Sequence, residues 1–201
     1  LLYSQVDKSF PEEILGEQAR FRNAKLSYYV GDFEWAQEQF DILKSSTSKL
    51  IANDAIDLSV FIMDNMGLDT TSVPLELYAQ AELLEFQKQY DNAFGKLEEI
   101  RLSFPGNDLE DDVLYLEARM YTVLQDYEKA EKSYRAIIDN FAEDIRGDNA
   151  MYELAELYDY ILDRKEEAMK LYETLFIEYT SSVFATEARK RYRVLRGDFD
   201  L

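Results

Sequence analysis

The chain has no cysteine and no histidine among its 201 residues. The first absence excludes disulfides and thiolate nucleophiles. The second excludes imidazole acid–base chemistry, and together they remove the usual ligands of zinc. Three prolines and seven glycines are too few for a sheet protein full of tight turns. The glycines stand singly, so no Gly-rich loop is available to cradle a phosphate. No apolar run approaches the ~20 residues that a membrane-spanning helix requires. Basic residues are scarce beside acidic ones, 22 against 41, and the resulting formal charge of −19 repels phosphate backbones and anionic headgroups. Nucleic acid and direct membrane insertion are therefore poor expectations. What remains is 47% hydrophobic and rich in Ala, Leu, Glu, Lys and Gln, a composition that predicts a folded, all-helical protein.

The abundant residues are ordered. Ala81, Ala118 and Ala155 recur every 37 residues, and Tyr78, Tyr115 and Tyr152 keep the same period. Each of these helices precedes a second one that carries Ala and, four residues on, a large side chain: Ala93 with Leu97, Ala130 with Tyr134, Ala168 with Tyr172. Residues four apart on a helix lie one above the other, so the Ala admits a neighbouring helix while the large group fills the space beside it. Helices are expected at about 75–87, 91–103, 109–124, 127–141, 148–161 and 165–179, with a capping helix at 182–195. Ala155 to Ala168 is 13 residues where the earlier pairs are 12, which puts one extra residue in the Asp163–Arg164 turn. Towards the front, helices are expected at 12–30, 33–44 and 49–66. Val6–Pro11 echoes Ile100–Pro105, so the chain is expected to open inside a repeat and to be a fragment of a longer protein. From Ala24 to Ala81 is 57 residues, off the period. Residues 67–73 are accordingly expected to be a non-helical link that carries the chain back to its starting side. The organisation expected is 1–66, an N-terminal set of helices; 67–73, the link; and 74–201, three helix pairs with a cap.

The spacing resembles the tetratricopeptide repeat. The small residue, the residue three later, the second Ala, the large residue four beyond it and the closing position are Ala81, Leu84, Ala93, Leu97 and Pro105 in one unit. They are Ala118, Tyr121, Ala130, Tyr134 and Ala142 in the next, then Ala155, Tyr158, Ala168, Tyr172 and Thr180. An early unit has Ala24, Ser27, Ala36, Phe40 and Ser48. Leu77, Leu114 and Met151 stand where the family carries Trp. The Phe104–Asn107 link and the longer period are also similar to repeats of bacterial envelope proteins, the outer-membrane assembly lipoproteins and Tol-associated coordinators, which implies a periplasmic or envelope setting, with the cytoplasm as the alternative. The family resemblance implies an all-α, right-handed superhelix, broken near 67–73, that binds a protein or peptide in its concave groove.

No catalytic constellation accompanies this pattern, and neither an enzyme nor a cofactor is expected. Acid pairs such as Glu98–Glu99 and Glu166–Glu167 read as solvated faces and helix starts. Asp108–Asp112 lacks the EF-hand order, and Arg196-Gly197-Asp198 reads as a chance tripeptide. Arg189–Arg196 reads as cations favoured at a helix C-terminus. The resemblance puts Tyr78, Tyr115 and Tyr152 on the groove side, with Glu82, Glu85, Arg119, Glu156 and Asp159 one turn on. These rings suit packing between neighbouring helices and suit lining a groove. As a groove, they imply a partner with basic and apolar side chains. Two other readings stand beside it: a docking arm for a catalytic domain outside this chain, and glycan capture by the rings.

Overall fold

The computed structural model describes residues 1–45, 48–66 and 71–198, and among them every regular element is helical. The chain forms two compact units, Leu1–Leu109 and Glu110–Leu201.

In the first unit α1 (Leu2–Ser9), α2 (Ile14–Tyr29), α3 (Phe33–Leu43) and α4 (Lys49–Met66) pack each on the next, and α5 (Val73–Phe86) pairs with α6 (Tyr90–Ser103). Ala24, Ala36 and Phe40 are wholly buried, and the Phe40 ring meets Phe21 at 5.6 Å. Residues 67–70 of the expected link lie outside the described residues. The direction of α5 differs from expectation. A Cβ on Gly31, just past α2, would stand 3.3 Å from Cγ of Glu76 in the first turn of α5. The rings of Tyr28 and Phe61 lie 6.3 Å apart, and those of Phe61 and Tyr78 5.4 Å apart. Helix α5 therefore starts at the end where α2 and α4 finish, not on the starting side. Burial of these three rings at one end is the physical reason.

The second unit stacks α7 (Glu110–Val123), α8 (Tyr127–Asn140), α9 (Gly147–Glu156), a π-turn (Leu157–Ile161), α10 (Lys165–Glu178) and α11 (Ala185–Arg196), with sequential neighbours in contact. Its core holds the repeated positions: Ala118, Ala130, Ala155 and Ala168 are fully buried, with Tyr134, Tyr158 and Tyr172 beside them. Adjacent helix packing of this kind makes the protein an all-α helical-repeat solenoid.

Two kinds of turn set the repeat. Within a pair, Lys88, Gln125 and Asp163 take positive φ of 61°, 61° and 53°. The next residue's N–H then bonds back into the first helix: Gln89 to Leu84 O, Asp126 to Tyr121 O, Arg164 to Tyr158 O. The last of these reaches one residue further. The extra residue expected in the Asp163–Arg164 turn thus sits before it, in the π-turn, where Leu162 N bonds Leu157 O at 3.0 Å. A wide helical turn admits one residue while leaving the tight turn unchanged.

Between pairs, an aromatic residue closes the second helix. Phe10, Phe104 and Phe141 have φ near −134°, and these carbonyls and that of Tyr179 each accept the N–H three residues on, from Glu13, Asn107, Asp144 and Ser182. Helix α1 therefore ends as the second helix of a pair ends. Six residues after Phe10 and Phe141 come Gly16 and Gly147, where a Cβ would lie 1.9 Å from Phe10 O and 2.2 Å from Ala142 O. Only a residue without Cβ fits those two approaches unchanged.

Candidate functional site

The repeated tyrosines differ in what surrounds them. In the second unit Tyr115, on α7, is 7% exposed and sets its ring at 6.3 Å from Tyr134 of α8. The Tyr115 hydroxyl donates to Oε1 of Glu153 at 2.5 Å, and the Tyr134 hydroxyl donates to Oε2 at 2.6 Å. One carboxylate on α9 thereby joins both helices of the preceding pair. Burial first, then the Glu153 charge, pushes both phenols far above their ordinary range. Arg146, the N-cap residue of α9, lies over the Tyr115 ring at 5.1 Å and donates to Asp112 at 2.5 Å. Arg119 is exposed one turn beyond the ring.

The same position one unit on is Tyr152. Its ring is edge-on to Tyr172 at 6.1 Å and stacks on Phe184, the N-cap residue of α11, at 4.6 Å and 17°. Both stacked rings are half-buried. Burial, Glu156 and Glu187 push the Tyr152 phenol up to about 12. Glu156 is half-buried and pairs with no cation among the described residues. Burial raises its carboxyl above the usual range. The Tyr152 hydrogen bond opposes that, while Glu153, Asp159 and Glu187 add to it.

Asp159 is 1% exposed, with Oδ1 3.0 Å from Lys165 Nζ and both oxygens held by Arg191. Burial alone would raise its carboxyl, but hydrogen bonds from Arg191 and Lys165 outweigh it and hold the group low. In the first unit Tyr78 is 2% exposed and packs on Phe61. Glu82 and Glu85, half-buried on α5, face Tyr29 of α2, and Lys25 lies 5.5 Å over that ring. The Glu82 Oε2 is buried without a hydrogen-bond partner.

Of the eight residues singled out in the sequence, the fold brings Tyr152 and Glu156 together at a half-open surface. Arg119 is exposed, Glu82 and Glu85 are half-buried, and Tyr78 and Tyr115 are buried between helices. Asp159 lies inside its own ion pairs. Arg191 belongs to Asp159, Lys190 pairs with Glu187, and Arg193 and Arg196 both reach Asp198. Glu153 and Phe184 escaped the sequence reading. Phe184 carried a signal, since it stands 38 residues after Arg146, and both are N-cap residues. Glu153 carried none, because its counterpart 37 residues earlier is Leu116. No group of three or more acidic side chains among the described residues is arranged to hold a metal ion.

Residues 112–144 and 149–182, which comprise the α7–α8 and α9–α10 pairs, match the family model of the tetratricopeptide repeat. No curated protein matches the chain. No helix among the described residues is long and apolar enough to cross a membrane.

Proposed function

We propose that this chain, whose residues 112–144 and 149–182 match the tetratricopeptide repeat, a family of protein-interaction modules, binds a partner segment along the first helices of its pairs. The segment is extended or helical and carries Lys or Arg among apolar side chains. The observation behind this reading is that Glu82 on α5 and Glu156 on α9, one turn past the repeated tyrosines, have no ion-pair partner among the described residues. Apolar contact area comes from Tyr152, while Tyr78 and Tyr115 support the helices beneath.

The test begins with a partner recovered from the native source using the chain as bait. Exposed charge pairs contribute only ~0.2–1 kcal/mol each, so their effect belongs in association rate and salt dependence. Reversing Glu82 and Glu85 to Lys, and separately Glu156 to Lys, should slow association and flatten its dependence on salt. A partner whose binding ignores those reversals and responds to Lys96→Glu or Lys132→Glu, on the second helices, would move the working surface there. Turnover of hydrolase or transferase substrates by the chain alone would overturn the scaffold reading altogether.

A further inference from the structure

The second unit contains the same aromatic position twice, once with its cations and once without. At Tyr115 the N-cap residue of the following helix is Arg146, whose guanidinium covers the ring and pairs with Asp112. The residue four beyond Tyr115 is a second cation, Arg119, and both arginines oppose the rise of the Tyr115 phenol. At Tyr152 the corresponding N-cap residue is Phe184, and the residue four beyond is Glu156. The charges that act most on the Tyr152 phenol are those of acids, Glu156 and then Glu187.

Elsewhere the unit repeatedly fills a ring-and-carboxylate setting with arginine. Arg164 lies 4.2 Å over Tyr158 and bonds Glu131 at 2.8 Å, and Arg191 lies 4.6 Å over Tyr160 and bonds Asp159. A planar guanidinium stacks on a ring while its N–H groups reach a carboxylate, a combination that an ammonium reproduces less well. The Tyr152–Phe184 stack, rimmed by Glu156 and Glu187, has the ring and the acids. The cations on α11 close in sequence to Phe184 are engaged: Arg191 with Asp159, Lys190 with Glu187, and Arg189 over Phe176 at 5.3 Å.

We propose that the Tyr152–Phe184 stack with Glu156 is an arginine-anchor site, at which a partner's guanidinium supplies, beside the stacked rings, the positive charge that Arg146 supplies at Tyr115. This rests on the scaffold reading and sharpens it, since it prefers arginine to lysine and names the position. The half-buried rings supply the stacking surface, and Glu156 supplies the acceptor that lacks a cation of its own.

The experiment is an amide-resolved NMR titration of the whole chain with Ac-Ala-Leu-Arg-Leu-Ala-amide, beside the same peptide carrying lysine or neutral citrulline. Arginine peptide should shift the amides of residues 152, 156, 184 and 187 and bind about threefold to tenfold more tightly than the citrulline form, with lysine between. Phe184→Arg, which restores the built-in cation, should abolish those shifts, and Glu156→Gln should reduce affinity to the citrulline level without touching the core. Equal binding of arginine and citrulline peptides, or arginine binding that survives Glu156→Gln, overturns the site. So does a titration with no shifts at these four residues. A partner that still associates through Glu82 and Glu85 in that event leaves the scaffold reading standing, which keeps the two failures apart.

Discussion

Glu153→Ala tests whether a single carboxylate ties the two repeats of the second unit together. Its two oxygens accept from Tyr115 and Tyr134 at 2.5 and 2.6 Å. Net contributions of hydrogen bonds to charged groups run about 1.5–3 kcal/mol each. Water can enter the vacated space at Tyr115, which is 7% exposed, more readily than at Tyr134, which is 1% exposed. Part of the loss is thus recovered, and the substitution should cost ~2–4 kcal/mol. For a chain of this size that lowers the melting temperature by about 5–15 °C. Tyr134→Phe keeps the ring and removes one bond, so in the native background it should cost ~1–2 kcal/mol. In the Glu153→Ala background it should cost almost nothing, because the hydroxyl no longer has its acceptor. Urea unfolding followed by circular dichroism on all four proteins gives the coupling energy, expected to be at least ~1 kcal/mol. A loss below ~0.5 kcal/mol for Glu153→Ala, or the same cost of Tyr134→Phe in both backgrounds, would refute the tie.

Ala118→Leu and Ala130→Leu should each destabilise by ~1–3 kcal/mol through overpacking, since both sites are fully buried; unchanged melting of both would mean that these are not the close approaches. Gly147→Ala should lower the melting temperature, as its Cβ meets the Ala142 carbonyl at 2.2 Å, whereas Gly95→Ala, on α6 with nothing within 4 Å, should raise stability by about 0.5–1 kcal/mol. Stability should also fall as the solution becomes alkaline. The phenols of Tyr115, Tyr134, Tyr152, Tyr158 and Tyr172 all lie above the unfolded value of 10.0. Above that pH the unfolded chain releases protons that the folded one retains, so the free energy of unfolding falls as pH rises from the unfolded value through the folded values, about 12 for Tyr152 and Tyr158. Loss of helix by circular dichroism should then set in above that pH; a chain that stays helical while its whole tyrosinate absorbance at 295 nm develops would contradict this.

Helix positions were legible because small and large residues alternate at fixed intervals, and the intervals reflect how closely two helices approach. Lys49–Met66 was read to the residue, since its apolar positions keep one face throughout. The direction of α5 was not legible. It depends on which rings gather at the end of α2, and that is a contact between Tyr28, Phe61 and Tyr78 far apart in sequence. The candidate surface divides in the same way. Periodicity identified Tyr152 and Glu156 as members of a series, but the series treats Tyr78, Tyr115 and Tyr152 alike. Their different exposures come from what adjoins each ring, Phe61 in one case, Arg146 in another and Phe184 in the third. Asp159 shows the limit most plainly, because the guanidinium that holds both of its oxygens comes from Arg191, 32 residues away.

The π-turn at Leu157–Ile161 bears on how an array of this kind tolerates change in length. A residue inserted into an α-helix rotates everything beyond it by about 100° about the axis, which would swing the faces of later helices out of register with their neighbours. Here the repeat that is one residue longer still presents Ala168 and Tyr172 to the core, both at most 1% exposed. The wide turn has taken up the phase error before it reaches the next helix. Insertions should therefore be survivable at the end of a first helix, just ahead of the tight turn, and damaging between Ala118 and Val123, where no such slack exists. Libraries of single-residue insertions, scored for soluble expression, would map that tolerance along the chain. Variation in unit length, on this view, is confined to one angular hinge per pair and leaves the packing faces in phase.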